Sequence, residues 1–158
     1  MTRTPLQLLL RPPRPDDAGG VARLLGELGY PVDPVDVPRR LGAVVDEGGA
    51  VVLAVDRATG EAVGMITTAR HVVLHAPGPV AYITALVTAA AARGRGVGRA
   101  LVAEAVEWAR REGCVRISVT SAEHRADAHA FYPACGLPYT GRRFGTALEP
   151  VTPGRPAR

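Results

Sequence analysis

Three glycines and two arginines stand together in Arg93-Gly94-Arg95-Gly96-Val97-Gly98, between an apolar run, Ala81 to Val87, and an amphipathic stretch from Arg99 to Arg111. That order predicts a strand, a tight loop and a helix, with the loop built around an anion. A helix start leaves N–H groups unpaired and carries partial positive charge, and glycines let the backbone close on a phosphate with no Cβ in the way. Two arginines add full charge. The spacing is not that of a dinucleotide fold, because a G-x-G-x-x-G run starting at Gly94 needs its third glycine where Arg99 stands. No Gly-Lys-Ser/Thr follows, which excludes a Walker-type NTPase. A pyrophosphate cradle of another kind remains, beside an ordinary Gly-rich turn, which has no need of two arginines.

A second segment, Arg125 to Tyr132 followed by Cys135-Gly136-Leu137, lies about a strand and a helix further on. Together the two motifs resemble the GNAT family of N-acetyltransferases. That family writes its loop Gln/Arg-x-x-Gly-x-Gly/Ala, here Arg93-x-x-Gly96-x-Gly98, and its later helix Ala-x-x-Phe-Tyr, here Ala128 to Tyr132. The resemblance covers roughly Leu6 to Leu148. It implies one α/β domain over residues 1–149, a mixed sheet of about six or seven strands with splayed parallel central strands, and about four helices. Residues 150–158 form a Pro/Gly/Arg tail with nothing to bury.

Local patterns follow the same order. Leu6 to Leu10 reads as a strand and Asp16 to Leu28 as a helix stopped by Gly29. Asp36 to Asp46 is a second helix, Ala50 to Val55 and Ala62 to Leu74 a hairpin, and Val80 to Thr88 the strand feeding the loop. The helix Gly98 to Glu112, the strand Cys114 to Thr120, the helix Ala126 to Ala134, and a closing strand or pair over Leu137 to Gly145 complete the chain. A strand-helix-strand unit implies parallel neighbours.

Composition narrows the partners. At 158 residues the chain supports a core without metal or disulfide, and no metal site is expected. Cys114 and Cys135 stand singly, as suits a reducing cytoplasm, and no apolar run approaches a membrane span. All nineteen basic residues are arginine, as a GC-rich genome would produce, and the net charge is +4. They are scattered rather than gathered in a stripe, and aromatics make up 4%, so a nucleic-acid partner is not expected.

The resemblance implies acetyl-CoA as cofactor. The pantetheine arm would meet backbone groups of Leu86, Val87 and Thr88, and the pyrophosphate would meet Arg93 and the N–H groups of Gly94, Arg95, Gly96, Val97 and Gly98. Arg95 or Arg99 would give charge assistance. Tyr132 is the implied general acid, protonating the departing thiolate, with packing beside Phe131 as its plain alternative. The chain departs from the family twice. Positions 82 and 84, often acidic in relatives, are Tyr82 and Thr84, which leaves the base to a water chain from either, to His71 or His75, or to Glu123 or His124. Ala122 replaces a frequent asparagine, so that Ser121 or His124 would meet the pantetheine instead.

The acceptor cleft implied by the resemblance includes Tyr30, Tyr82, Thr84 and His75, and it would take an amine of a small molecule, amino acid or peptide. A homodimer is left open. Only Asp33 and Asp36 bring acid to the cleft segments, which disfavours a polycationic acceptor. Two alternatives stand beside this enzyme: a CoA-binding module without turnover, and a transferase acting on an RNA-linked amine.

Overall fold

The computed structural model describes residues 5–121 and 126–148. Five strands form one sheet in the order β1 (Leu8–Arg11), β2 (Ala50–Asp56), β3 (Ala62–His71), β4 (Val80–Thr88) and β5 (Arg116–Val119). The first four are antiparallel neighbours, and β5 runs parallel to β4. Helices α1 (Ala18–Leu28), α2 (Val37–Asp46), α3 (Val97–Arg111) and α4 (Ala126–Ala134) complete the fold.

Consecutive strand residues Met65 and Ile66 are each 1% exposed, so both faces of the sheet are covered. Both α1 and α3 pack over β3 and β4. Gly64 lies under α3, where an added Cβ would meet Val97 Cγ1 at 2.6 Å. Val21 and Leu24 of α1 and Leu101 and Val102 of α3 close the core around Leu53. Helix α1 ends as its sequence predicts: Gly29 takes φ 101°, and the Tyr30 N–H reaches the Leu25 carbonyl at 2.9 Å.

The mixed sheet and four helices agree with the expected α/β class, and the helices and β4 fall close to their expected bounds. The strand count is lower. Leu137 to Gly145 forms no strand: Pro138 has no N–H to give a ladder, and Tyr139 and Phe144 are exposed. Among the described residues β5 is therefore the sheet's edge. Strand β3 also stops at His71 rather than Leu74. The tail, residues 150–158, lies outside the described residues.

Candidate active site

The glycine-arginine loop sits between β4 and α3. Its start is tied down from two sides, because the Ala89 N–H donates to the Val63 carbonyl at 2.9 Å and the Ala90 N–H to Glu27 Oε2 of α1 at 2.8 Å. Gly94 and Gly96 take φ of 72° and 83°, a region costly for any residue with a Cβ. Gly96 is the residue before α3, and the Ala100 N–H closes the first helical bond onto its carbonyl at 3.0 Å. The N–H groups of Val97, Gly98 and Arg99 precede that bond and have no helical turn before them. A Cβ at Gly94 or Gly96 would meet nothing within 4 Å. Arg93 is exposed, and Arg99 donates to the Ala134 carbonyl at 3.3 Å, joining α3 to the end of α4.

The strand that feeds the loop leaves its neighbour halfway. β4 pairs with β5 only from Val80 to Ile83, while its pairing with β3 continues to Thr88. The point of divergence is a bulge: Thr67 pairs with Ala85 and Thr68 with Ile83, so Thr84 is the extra residue. Past Ile83, backbone groups of β4 that point away from β3, within the Leu86 to Thr88 stretch, meet no strand among the described residues. Val87 turns its side chain into the core, while Leu86 is only partly buried. Ser121, just past β5, carries a buried Oγ without a hydrogen-bond partner.

Helix α4 brings the second motif to the first. Thr88 Oγ1 and the Phe131 ring both lie against Gly98, at 3.6 and 3.1 Å from where its Cβ would stand. Tyr132 follows, half-buried, its ring edge-on to Phe131 at 5.2 Å between centroids. Gly136 at φ 87° ends the helix, with the Leu137 N–H returning to the Tyr132 carbonyl at 2.9 Å.

Beside the bulge lies an open cavity of about 410 Å³ lined by His71, Tyr82, Ile83, Thr84 and Thr120. The His71 and Tyr82 rings meet edge-on at 5.5 Å, and Thr67 Oγ1 and Thr84 Oγ1 share a 2.6 Å hydrogen bond. Among the described residues no carboxylate lines this cavity. Tyr82 and Thr84, two of the expected cleft residues, both line this cavity. Tyr30 and His75 do not join them: Tyr30 is 66% exposed beyond α1, and His75 lies in the loop past the end of β3. The even spacing of His71 and His75 carries no meaning once the strand stops at His71. Glu123 and His124 lie outside the described residues. Sequence reasoning missed Thr67 and Thr120, whose places depend on the register of β3 and the end of β5.

A fit to a pyrophosphate-bearing cofactor follows from these features: left-handed glycines with open space over them, a helix start aimed at the same place, and an orphaned Ser121 Oγ in the parted strands. Among the described residues no group of His, Cys, Asp or Glu could hold a metal ion, and no helix is long and apolar enough to cross a membrane.

Comparisons with known proteins agree with this geometry. The family model for the acetyltransferase (GNAT) family matches residues 23–137. An aminoglycoside N(6')-acetyltransferase type 1 of Stenotrophomonas maltophilia is 35% identical over 147 residues, spanning 89% of this chain and 94% of that protein. The crystal structure of a Trypanosoma brucei acetyltransferase superposes with a TM-score of 0.79 at 25% identity, over 90% of this chain and 100% of that one. The fold is also that of an aminoglycoside N-acetyltransferase, AAC(6')-Iy, solved in complex with CoA, with a TM-score of 0.77 at 16% identity over 94% and 99% of the two chains. With a family model matched from α1 through α4, and both motifs brought together in space, the chain belongs to the acetyltransferase (GNAT) family.

Proposed function

We propose that this protein is an acetyl-CoA-dependent N-acetyltransferase acting on the amine of a small molecule by direct attack. One observation carries the reading: the Thr84 bulge, where β4 parts from β5, has the glycine-arginine loop beyond one end and the open cavity at the other. A cofactor held at the loop and laid between the strands would present its reactive end beside the cavity. When bound, acetyl-CoA supplies an activated acetyl thioester.

The chain's own groups divide the remaining work. Arg93 and the amides from Gly94 to Gly98 hold the pyrophosphate, assisted by Arg95, while Arg99 holds α4 against the loop. Backbone groups of Leu86, Val87 and Thr88, with Ser121 Oγ, hold the pantetheine. Tyr132 gives its phenolic proton to the leaving sulfur, since a phenol with a reference pKa of about 10 stays protonated at neutral pH. An amine of lysine-like pKa costs about 4 to 5 kcal/mol to deprotonate at neutral pH, so a proton acceptor is needed. His71 fills that role, being the imidazole of a cavity whose described lining residues include no carboxylate. Two free cysteines fit a cytoplasmic setting.

The absence of carboxylates among the described lining residues also favours a second reading, a CoA-binding module without turnover. One measurement separates them. Purified protein with acetyl-CoA and a panel of primary amines should release thiol and yield acetylated amine. Binding of acetyl-CoA with no thiol release for any amine would leave the module, and no binding at all would remove both.

A further inference from the structure

The cavity is electrically one-sided. Thr120, at the end of β5, lines it, and Arg143 from the segment after α4 donates to Thr120 Oγ1 at 3.3 Å. That bond brings an exposed guanidinium against Thr120, one of the lining residues. A second open cavity of about 490 Å³ is lined by Arg143, Gly145, Thr146 and Ala147. Among the described residues Arg143 pairs with no carboxylate, whereas Arg11, Arg23, Arg39, Arg110 and Arg111 each do. A guanidinium has five N–H donors in a planar fork, so one bond to a hydroxyl leaves the rest for an anion.

Among the described residues no carboxylate lines either cavity. In the segment before α2, Asp33 Oδ1 accepts from the Val35 N–H at 3.0 Å, and Asp36 Oδ1 from Arg39 at 3.0 Å. A polycationic acceptor would meet the Arg143 charge with no carboxylate among the described lining residues to balance it.

We propose that Arg143, positioned by Thr120, makes this an acceptor site for an amine that also carries a carboxylate, as in a free amino acid. The proposal rests on the reading of the first cavity as the acceptor site. It adds the substrate class: the carboxylate lies in the Arg143 fork, and the amine points along the cavity toward Thr84 and His71. A carboxylate suits the fork because two parallel N–H···O bonds match its shape.

The test compares the common amino acids with their carboxamides, together with spermidine and kanamycin as polycations, by thiol release from acetyl-CoA. The amino acids should exceed their amides at least tenfold in kcat/KM, mainly through KM. Arg143→Ala should erase that preference by raising KM for the acids while leaving the amides as they were, and Arg143→Lys should restore part of it. Thr120→Val should weaken the preference by raising KM for the acids more than for the amides. Amides or polycations that serve as well as the acids, or a preference that survives Arg143→Ala, would overturn the carboxylate assignment and leave the transferase reading standing. Absence of thiol release with every amine would overturn both.

Discussion

The ring of Phe131 lies on Gly98, with Phe131 Cζ 3.1 Å from the place a Cβ would occupy. The two motifs, separate in sequence, are thus in direct contact, and Tyr132 takes its position from a glycine in the first turn of α3. Two effects compete in Gly98→Ala: helix propensity gains up to about 1 kcal/mol, and Phe131 must give by a few tenths of an ångström. They nearly cancel in stability but not in placement. The expected result is a Tm within about 2 °C of wild type with kcat reduced several-fold, and a larger loss for Gly98→Leu. Full kcat in Gly98→Leu would show that α4 is positioned by other contacts.

Gly96 acts through its backbone alone. At φ 83°, with nothing within 4 Å of the place its Cβ would take, Gly96→Ala should cost about 1 to 2 kcal/mol from the left-handed conformation and nothing from packing. A ligand bound only to the native state stabilises it by about 2.7 kcal/mol at a hundredfold excess over Kd. Wild type should therefore melt higher in millimolar acetyl-CoA, and Gly96→Ala should lose most of that rise. An equal rise in both would move the pyrophosphate away from this loop.

Tyr132→Phe keeps the ring against Phe131 and removes the proton donor. Turnover should fall by about a hundredfold or more while the acetyl-CoA thermal shift is unchanged. Equal turnover under conditions where chemistry limits the rate would leave Tyr132 with packing as its role.

How far these features could be read from sequence depended on range. The loop, α3 and α4 were legible because glycine conformation and apolar periodicity are local signals, as Gly29, Gly96 and Gly136 show by taking the left-handed conformations their places demand. The end of β3 was not, because Val72 and Leu74 look like strand residues yet are exposed, 82% and 104%, with no neighbour to pair with. The Leu137 to Gly145 segment failed for the same reason. The Thr67–Thr84 hydrogen bond depends on a one-residue shift between β3 and β4, which no single-strand pattern encodes.

Stability should respond to acid through Asp17. Its carboxylate accepts two bonds from Arg11, at 2.6 and 3.0 Å, and a third from the Arg14 N–H at 2.6 Å. The Arg11 hydrogen bonds, opposed in part by burial, hold the carboxyl below its ordinary range. A depressed folded pKa contributes stability above the unfolded value, about 3.9, and that contribution is lost as pH falls through the folded value. Asp17→Asn should lower Tm at pH 7 by roughly 3 to 8 °C, from about 1 to 2 kcal/mol. The gap should narrow below about pH 4. A gap that stays constant down to pH 3 would mean that packing, not charge, accounts for it.

His71 is the remaining half of the chemistry. It lines the cavity with Tyr82 and Thr84, its ring edge-on to Tyr82, and among the described residues no carboxylate shares the lining. General-base catalysis by a positioned group is worth about 10² to 10⁴ in rate. His71→Gln keeps a polar side chain of similar length but cannot take up a proton near neutrality, so kcat/KM at pH 7 should fall by about a hundredfold with acetyl-CoA binding intact. The loss has a distinctive pH dependence. As pH approaches the acceptor's own pKa, a growing share of amine arrives neutral and needs no base, so the variant's rate should climb toward wild type in alkali. An inert surface residue would show no defect, and a structural one would show a defect at every pH. Only a base gives a defect that fades as the amine deprotonates. Comparing the two pH profiles with a single good acceptor therefore decides the role of His71, and a uniform loss across pH would return the proton to a water chain starting at Thr84.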